Sequence, residues 1–251
     1  MSSTLAKYFF DLQVDCPYSR PFTAVYRQAH FGTLPHVAME LLLESGFRRN
    51  GNYLYTMVCP DCRACVPIRL EPALFTANRS QKRARARNRD LTVTIEPLQI
   101  TSQKLNLCDK FLQHRYPGKG NSALDYYAGF FVNSMGSTYE MEYRHEGRLL
   151  GVSVIDLYPE AINCVYFYFD PDETKRSLGT NNILTLVDYA LAHRIQHLYL
   201  GYWIHDVAAM RYKAQFSPHF LLQDGEWRRH PQAPNPDQQD GTLFPGGPLP
   251  T

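Results

Sequence analysis

The residues of this sequence best suited to chemistry lie in a short cationic loop, residues 175–180, with the sequence KRSLGT. The loop carries Arg176 and Gly179, and its last residue, Thr180, is of a type that commonly caps a helix N-terminus. Free backbone N–H groups and the helix dipole at such an N-terminus attract anions, and an arginine adds a fork-shaped donor that suits phosphate. The loop therefore predicts a phosphate-binding site, although a plain strand–helix–strand unit with a cationic loop is the alternative interpretation.

The segments on either side of this loop predict the secondary structure that would position it. Residues 165–169 are aromatic and β-branched without a polar break, which is typical of a strand covered on both faces. After the loop, apolar residues recur with helical spacing from Ile183 to Leu191, and residues 197–204 predict a second strand. A strand, an Arg-x-x-Gly loop, a helix and a strand in this order resemble the Gcn5-related N-acyltransferase fold.

The remaining elements extend this pattern to an α/β fold of the α+β type, with a mixed sheet and helices on both of its faces. Helices are predicted for residues 102–113 and 125–132, and a long hairpin for residues 139–157. The sheet is expected to split where the central strand meets the Arg176 loop. Such a split would leave a cleft for an acyl donor and an amine acceptor.

A small cysteine-bearing module is expected to precede this acyltransferase-like domain. Its predicted elements are a short helix over residues 37–43 and a hairpin over residues 47–55 with an Asn-Gly pair at the tip. The expected organisation is an N-terminal module over 1–75, a basic connecting segment over 76–100, an acyltransferase-like domain over 101–230 and a disordered tail over 231–251.

The cysteines of the module have the spacing of a metal site. Cys59, Cys62 and Cys65 let one compact loop offer three sulfurs. Cys16 could complete a tetrahedral thiolate site for zinc or an iron–sulfur cluster, and the ligands do not discriminate between the two. Three small buried thiols in a tight turn are the alternative. In a chain without an export signal, the six cysteines are expected to be reduced thiols or metal ligands rather than disulfides.

Charge and hydropathy limit the possible partners. The net charge is only +2, but six cations fall within eleven residues: Arg79, Lys82, Arg83, Arg85, Arg87 and Arg89. This stretch is either a solvated face or a contact surface for a phosphate backbone. No apolar run is long enough to span a bilayer, and the N-terminus lacks the pattern of a signal peptide. We therefore expect a cytoplasmic protein with no membrane partner.

Eight short motifs along the chain together carry a family resemblance that no single motif would carry. They are, in order, Cys16-Pro-Tyr, Gly46-Phe-Arg-Arg, Cys59-x-x-Cys-x-Ala-Cys-Val-Pro, Arg79-Ser-Gln-x-Arg, Phe169-Asp-Pro, Arg176-Ser-Leu-Gly-Thr, Tyr199-Leu-Gly-Tyr-Trp-Ile and Met210-x-Tyr-Lys-x-x-Phe-x-Pro. Taken together they resemble the aminoacyl-tRNA–protein transferases of the N-end rule over about residues 8–228. The short length is similar to that of the bacterial aspartate/glutamate leucyltransferases. The longer arginyltransferases pair an early Cys-x-x-Cys with an adjacent Cys-Cys, a pattern that this sequence does not share.

The resemblance implies transfer of leucine from leucyl-tRNA to the α-amino group of proteins that begin with Asp or Glu, which marks them for N-end rule degradation. The donor is an activated ester, so the chemistry requires no cofactor and no covalent intermediate. The amine attacks the ester carbonyl directly, and positioning can supply roughly 7–11 kcal/mol of the barrier reduction. The open alternatives are an acetyl-CoA-dependent N-acetyltransferase and an RNA-binding protein without transferase activity.

Hypothetical roles follow for residues in and around the expected cleft. Asp156 is a candidate to hold or deprotonate the ammonium, and Tyr166 or Tyr168 to orient it or protonate the leaving oxygen. A turn residue and core tyrosines are the alternative interpretations. Arg211 and Lys213 are candidates to bind the acidic side chain of the acceptor. The aminoacyl-tRNA would be held by Arg176, Gly179 and Thr180 at its 3′ end and by Arg79, Lys82, Arg83, Arg85 and Arg87 at its acceptor stem.

Overall fold

The computed structural model describes residues 7–18 and 20–230, and these residues form two β-sheets. The predicted tail over residues 231–251 lies outside the described residues. The smaller, antiparallel sheet contains β1 (Phe10–Asp15), β2 (Thr23–His30), β3 (Arg48–Asn50) and β4 (Tyr53–Met57), in the spatial order β1-β2-β4-β3. The larger sheet contains β5 (Val66–Leu70), β6 (Thr92–Pro97), β7 (Thr138–His145), β8 (Arg148–Leu157), β9 (Ala161–Phe169), β10 (His197–Trp203), β11 (His219–Gln223) and β12 (Glu226–His230), in the order β12-β11-β5-β10-β9-β8-β7-β6.

Helices lie on both faces of the larger sheet. The α-helices of the described residues are α1 (His36–Glu44), α2 (Arg79–Arg87), α3 (Ser102–Arg115), α4 (Ala123–Tyr126), α5 (Leu178–Ala192) and α6 (Ala208–Arg211). Short 3₁₀ turns lie at Pro72–Leu74, Thr174–Arg176 and Tyr212–Gln215, and a π turn lies at Tyr127–Phe131. Strands β9 and β10 are parallel, whereas the other neighbouring strands of the described sheet are antiparallel.

Two buried clusters hold helices α3 and α5 on opposite faces of this sheet. The first cluster packs α3 against alternating residues of β8 and includes Leu107, Phe111, Leu112, Val152 and Val154. The second packs α5 against the other face and includes Ile155, Ile183, Leu186, Val187 and Leu198. Strand β8 is buried along nearly its whole length, as expected for a strand covered on both sides. The predicted mixed sheet with helices on both faces is confirmed.

The local predictions with strong turn or helix signals are confirmed as well. The helix predicted for residues 37–43 forms as α1, and the hairpins predicted for residues 47–55 and 139–157 form as β3–β4 and β7–β8. Gly51 and Gly147 lie in the hairpin turns with positive φ angles of 55° and 80°, which glycine adopts without a steric cost.

The helix predicted for residues 125–132 is only partly correct. Helix α4 ends at Tyr126, and the chain continues as the π turn. Tyr127, in this turn, is fully buried, and its hydroxyl donates a hydrogen bond of 2.6 Å to Oε1 of Glu140. Glu140 in turn accepts a hydrogen bond of 2.5 Å from the ammonium of Lys104 on α3. This buried polar network accompanies the departure from regular α-helix.

The N-terminal elements share their packing with the larger sheet. Strand β5 lies inside the range that the sequence assigns to the N-terminal module, yet it pairs with β10 and β11. Helix α1 contributes Met39 and Leu43 to a buried cluster that includes Ala161 of β9 and Tyr199 of β10. The predicted domain boundaries stay predictions.

A buried ion pair connects the two sheets. The guanidinium of Arg49 on β3 donates hydrogen bonds of 2.7 and 2.8 Å to both carboxylate oxygens of Asp156 on β8, and both side chains are 1% exposed. Asp156 also accepts hydrogen bonds from the hydroxyl of Thr138 and the side-chain amide of Asn163. The remaining donor of Arg49, Nη1, bonds the carbonyl of Phe130 at 2.9 Å. Each buried charge therefore faces an opposite charge, and hydrogen bonds satisfy the polar atoms of both side chains.

We expect Asp156→Asn to lower the free energy of unfolding by about 3–5 kcal/mol, because it leaves the buried guanidinium of Arg49 without its charge partner. Urea denaturation followed by circular dichroism measures the change. The control is Asp11→Asn, which removes an exposed ion pair with Arg27 and should leave the denaturation midpoint close to that of the wild type. Equal stability of the two variants would contradict the structural role of the buried pair.

Candidate active site

The parallel pairing of β9 and β10 stops after three residue pairs, and a cleft opens beyond that point. The last pair is Tyr199 with Asn163, although both strands continue. Each strand carries one extra residue relative to its other neighbour just past the last pair. On β9 the register with β8 shifts between Cys164 and Tyr166, and on β10 the register with β5 shifts between Tyr199 and Tyr202. Such bulges bend a strand and interrupt its ladder.

The resulting cleft has a volume of about 530 Å³. One wall consists of β9 residues 164–167 with Phe169, and the opposite wall consists of residues from the loop and N-terminus of α5, together with Leu200 of β10. A third side of the cleft is lined by Met210, Tyr212 and Lys213. The predicted split of the sheet next to the 175–180 loop is thus present.

The N-terminus of α5 faces this cleft. The sequence placed the N-cap at Thr180, and this prediction is wrong: the N-cap is Ser177, whose φ of 54° turns the chain from the short 3₁₀ turn into the helix. The first helical backbone bond runs from the N–H of Asn181 to the carbonyl of Ser177, so the N–H groups of the preceding turn have no intrahelical acceptor. Gly179 and Thr180 both line the cleft, and a Cβ atom at Gly179 would meet no atom within 4 Å.

Arg176 does not line the cleft but fastens the loop to helix α2. Its guanidinium donates hydrogen bonds of 2.7 and 2.8 Å to the two carboxylate oxygens of Asp90, and it also bonds Glu173. The hydrogen bond from Arg176 lowers the pKa of Asp90 to about 2. From the other side, the side-chain amide of Asn88 donates to the carbonyl of Arg176 at 2.7 Å. The phosphate contact predicted for Arg176 stays a prediction.

The basic stretch, which lies in the predicted connecting segment, forms helix α2. A capping box between Asn78 and Gln81 starts the helix. Arg85 pairs with Asp188 of α5 at 2.8 Å, which holds the two helices together. The other cations of the stretch are exposed and have no carboxylate partner among the described residues: Arg79, Lys82, Arg83, Arg87 and Arg89. An exposed basic surface therefore adjoins the N-terminus of α5.

The structure separates the two candidate tyrosines. Tyr166 lines the cleft and packs edge-on against Phe111 and Phe130, and burial raises its pKa well above that of free tyrosine. Its hydroxyl consequently stays protonated at neutral pH and can donate a hydrogen bond. Tyr168 is fully buried and shares a hydrogen bond with Tyr127, outside the cleft lining.

Of the other three candidate residues, only one lines the cleft. Asp156 lies outside the cleft lining, in the ion pair with Arg49, a partner 107 residues away that no local pattern could have revealed. Lys213 lines the cleft, and its ammonium donates a hydrogen bond of 2.9 Å to the carbonyl of Tyr202. Burial, with a contribution from the nearby cation of Arg48, lowers the pKa of Lys213 to about 8. Arg211 is exposed and is not part of the lining.

Cys164, which the sequence presented as an isolated core residue, lies in the cleft lining at the bulge of β9. Burial raises the pKa of its thiol to about 12, so the reactive thiolate is a very small fraction near neutral pH. The residue is therefore poorly suited to act as a nucleophile, in agreement with a direct attack of the amine on the ester.

The four cysteines of the predicted metal site are free thiols. Burial, reinforced by the neighbouring thiols of Cys59, Cys62 and Cys16, raises the pKa of Cys65 to about 12. Within residues 7–18 and 20–230, no group of three or more His, Cys, Asp or Glu side chains has an arrangement that could hold a metal ion. The prediction of zinc or an iron–sulfur cluster gains no support from these residues. In the same part of the chain, the helices are too short or too polar to cross a membrane.

Comparison with known proteins now identifies the family. A split sheet with a helix N-terminus at the cleft agrees with the acyltransferase-like fold that the sequence predicts. The family models described as arginine-tRNA-protein transferase, N terminus and C terminus, match residues 14–83 and 103–223. The chain belongs to this family of aminoacyl-tRNA–protein transferases, and the resemblance inferred from the motifs is confirmed.

Individual relatives within the family share more than a third of the aligned residues with this chain. The chain is 37% identical to the aspartate/glutamate leucyltransferase of Acinetobacter baumannii (strain ATCC 17978) over 206 residues, which cover 80% of this chain and 76% of that protein. It is 39% identical over 189 residues to the aspartate/glutamate leucyltransferase of Pseudomonas putida (strain KT2440), with coverage of 74% and 80%. Among solved structures, the C-terminal domain of a putative lysylphosphatidylglycerol synthetase from Agrobacterium fabrum covers 71% of this chain and is itself covered to 55%, with a TM-score of 0.44 and 12% identity.

The pKa of Lys213 predicts a pH-dependent stability difference. Between its value of about 8 in the folded state and 10.5 in a free lysine, the unfolded chain binds more protons, so this residue makes stability rise with pH. We expect Lys213→Met to be more stable than the wild type at pH 7 by about 1–3 kcal/mol. This advantage should shrink as the pH rises from 8 to 10.

Urea denaturation at a series of pH values measures the difference. Exposed Lys119 provides the control, because Lys119→Met removes the same charge from a solvated site and should follow the wild-type curve. A constant difference between Lys213→Met and the wild type over this pH range would contradict the buried state of the ammonium.

Proposed function

We propose that the protein transfers leucine from leucyl-tRNA to the α-amino group of proteins that begin with Asp or Glu and thereby marks them for N-end rule degradation. The names of its relatives, aspartate/glutamate leucyltransferases at 37–39% identity over most of the chain, support this proposal. The observation that supports it in the structure is the cleft between β9 and β10, which has a helix N-terminus with free N–H groups, an apolar wall and the half-buried Lys213.

The tRNA is proposed to approach along α2 and the N-terminus of α5. Backbone N–H groups of the first turn, at Gly179 and Thr180, are suited to the phosphate of the 3′-terminal nucleotide. The exposed arginines and lysine of α2 would contact the acceptor-stem backbone, where contacts are independent of sequence. Arg176 would hold the α5 loop against the C-terminal end of α2 through its ion pair with Asp90. We also propose that Arg176 contacts a phosphate at the 3′ end of the tRNA.

The cleft suits an apolar aminoacyl group. Its lining includes Phe111, Val165, Tyr166 and Phe169, whereas the one carboxylate in the described lining is Glu173. Glu173 is paired with Arg148 and Arg176 and is not free to receive a further cation. A leucyl side chain would bury its apolar surface here, and an arginyl side chain would be without a counter-charge.

The chemistry proposed is direct aminolysis of the ester. The acceptor amine has a pKa of about 8 when free, so it loses its proton to water readily. The new C–N bond forms and the bond between the carbonyl carbon and the 3′ oxygen of the ribose breaks. The nitrogen releases a further proton as the amide forms, and the hydroxyl of Tyr166 would pass a proton to the leaving oxygen and take up that proton in return. Lys213 would hold the acidic side chain of the acceptor. Asp156 and Tyr168 would contribute by fixing the strands that frame the cleft.

The remaining parts of the proposal concern the cysteines, the acceptor chain beyond its first residue and the cellular compartment. A metal at Cys16, Cys59, Cys62 and Cys65 is not needed for aminolysis of an activated ester. Arg211, exposed next to the cleft, could contact the acceptor chain beyond its first residue. Because the donor is charged tRNA, we propose the cytoplasm as the place of the reaction.

A transfer assay tests the function. Peptides that begin with Asp, Glu, Lys or Ala are incubated with radiolabelled leucyl-tRNA, with a ribonuclease-treated parallel. We expect label only on the Asp and Glu peptides, and no label after ribonuclease treatment. Acetylation of the amine from acetyl-CoA without leucine transfer would favour the N-acetyltransferase alternative, and tRNA binding without transfer of any group would favour the RNA-binding alternative.

The role of α2 predicts a salt-dependent loss of tRNA binding. The double variant Lys82→Glu with Arg83→Glu should weaken binding at least tenfold at low salt and reduce the slope of affinity against salt concentration, because it removes phosphate contacts. Filter binding at several salt concentrations measures both quantities. The matched control is Arg228→Glu with Arg229→Glu, which reverses two exposed charges on β12. Equal losses in the two double variants would contradict a contact surface on α2.

A further inference from the structure

Arg48 is a buried arginine without a carboxylate partner in the described residues. It is 4% exposed, and its guanidinium donates to the carbonyls of Phe47 and Gly201 at 2.6 and 3.2 Å. It lies against the rings of Tyr199 and Tyr202, and its Nε is buried without any partner. The groups that act on its charge are tyrosines and a thiol. Burial therefore removes water from the charged guanidinium, and no opposite charge offsets the resulting loss of stability.

Two other buried arginines have the carboxylate partners that Arg48 lacks. Arg49, the next residue, is fully paired with Asp156, and Arg69 on β5 is paired with Glu44 and Glu71. Buried charges in proteins are normally compensated in this way. Arg48 departs from the pattern although it lies on the same strand as Arg49.

A second uncompensated cation lies beside Arg48. The ammonium of Lys213 donates to the carbonyl of Tyr202, and Arg48 donates to the carbonyl of Gly201, so the two cations bind consecutive carbonyls in the bulge of β10. A Cβ atom added to Gly201 would lie 3.6 Å from the ammonium. No salt bridge within the described residues involves Lys213, and the groups that act on its charge are Cys164 and Arg48. Two like charges in a buried site favour the binding of an anion.

We infer that Arg48 and Lys213 together form the carboxylate site that recognises the first side chain of the acceptor protein. This inference rests on the proposed function and replaces Arg211 by Arg48 as the partner of Lys213. Arg48 is held by its carbonyl contacts and the two tyrosine rings, whereas the lysine stem is flexible. A fixed and an adaptable cation would accommodate aspartate and glutamate, which differ by one methylene.

The location favours a carboxylate over a tRNA phosphate. The exposed cations of α2 and the N-terminus of α5 are already available for the phosphate contacts proposed above. Lys213 lines the cleft and is half-buried, so a small anion on a peptide N-terminus could reach its ammonium, and the buried guanidinium of Arg48 lies beside it at the bulge of β10. A carboxylate bound there would bring the α-amino group of the same residue into the cleft between the two strands.

Titration calorimetry with short peptides tests the site independently of transfer. Matched peptides that begin with Asp, Asn or Ala are titrated into the wild type, Lys213→Met, Arg48→Gln and the control Lys119→Met. We expect the wild type and the control to bind the Asp peptide at least tenfold more tightly than the Asn peptide. In Lys213→Met and Arg48→Gln this preference should fall to about threefold or less, while binding of leucyl-tRNA is unchanged.

The outcomes separate the possible failures. An undiminished preference for Asp over Asn in a folded Lys213→Met protein would overturn the site, and so would loss of tRNA binding with an unchanged preference, because the pair would then hold a phosphate. If Arg48→Gln does not fold, Lys213→Met and Arg48→Lys provide the same comparison. Absence of leucine transfer by the wild type would refute the proposed function, whereas peptide binding would still decide the carboxylate site.

Discussion

The early end of the pairing between β9 and β10 is the constraint on which the rest of the structure depends. Three residue pairs join the two parallel strands, and bulges on both then stop the ladder. The cleft that opens is framed by buried strands, since α3 and α5 cover the two faces of the sheet and other strands pair on both outer sides. A rigid sheet interrupted at one point holds donor and acceptor groups in a fixed geometry, which is what an aminolysis of an activated ester requires.

The charged residues between the two sheets and at the bulge of β10 fall into two groups, one that stabilises the fold and one that we propose to bind substrate. Arg49 and Asp156 satisfy each other and tie the small sheet to the large one. Arg48 and Lys213, at the bulge of β10, have no such partner in the described residues and leave the folded protein with a local excess of positive charge. The first pair stabilises the fold, whereas we propose that the second receives an anion that arrives with a substrate. The difference between adjacent residues of one strand, Arg48 and Arg49, makes this distinction especially clear.

The sequence was sufficient for features that depend on local patterns. The hairpin with its turn at Gly51 and the helix α5 follow from turn chemistry and periodicity, and the cleft beside residues 175–180 follows from the resemblance to the acyltransferase fold. Side-chain partners that come from distant parts of the chain were not predictable. Asp156 meets Arg49 across 107 residues, and Arg176 meets Asp90 across 86 residues. Thr180 had the right residue type for an N-cap, but the left-handed conformation of Ser177 starts the helix earlier. Arg48 and Arg49 both belong to the Gly46-Phe-Arg-Arg motif, but the motif does not indicate which of the two arginines lacks a carboxylate partner.

The most direct test of the account is a crystal structure with a leucyl-adenosine analogue in which an amide replaces the labile ester. We expect the adenosine next to the backbone N–H groups of Gly179 and Thr180, and the leucyl carbonyl between β9 and β10, with the side chain against Phe111 and Tyr166. An analogue bound outside this cleft, or bound with its leucyl side chain directed away from Phe111 and Tyr166, would contradict the claim that the split of the sheet is where the two substrates meet.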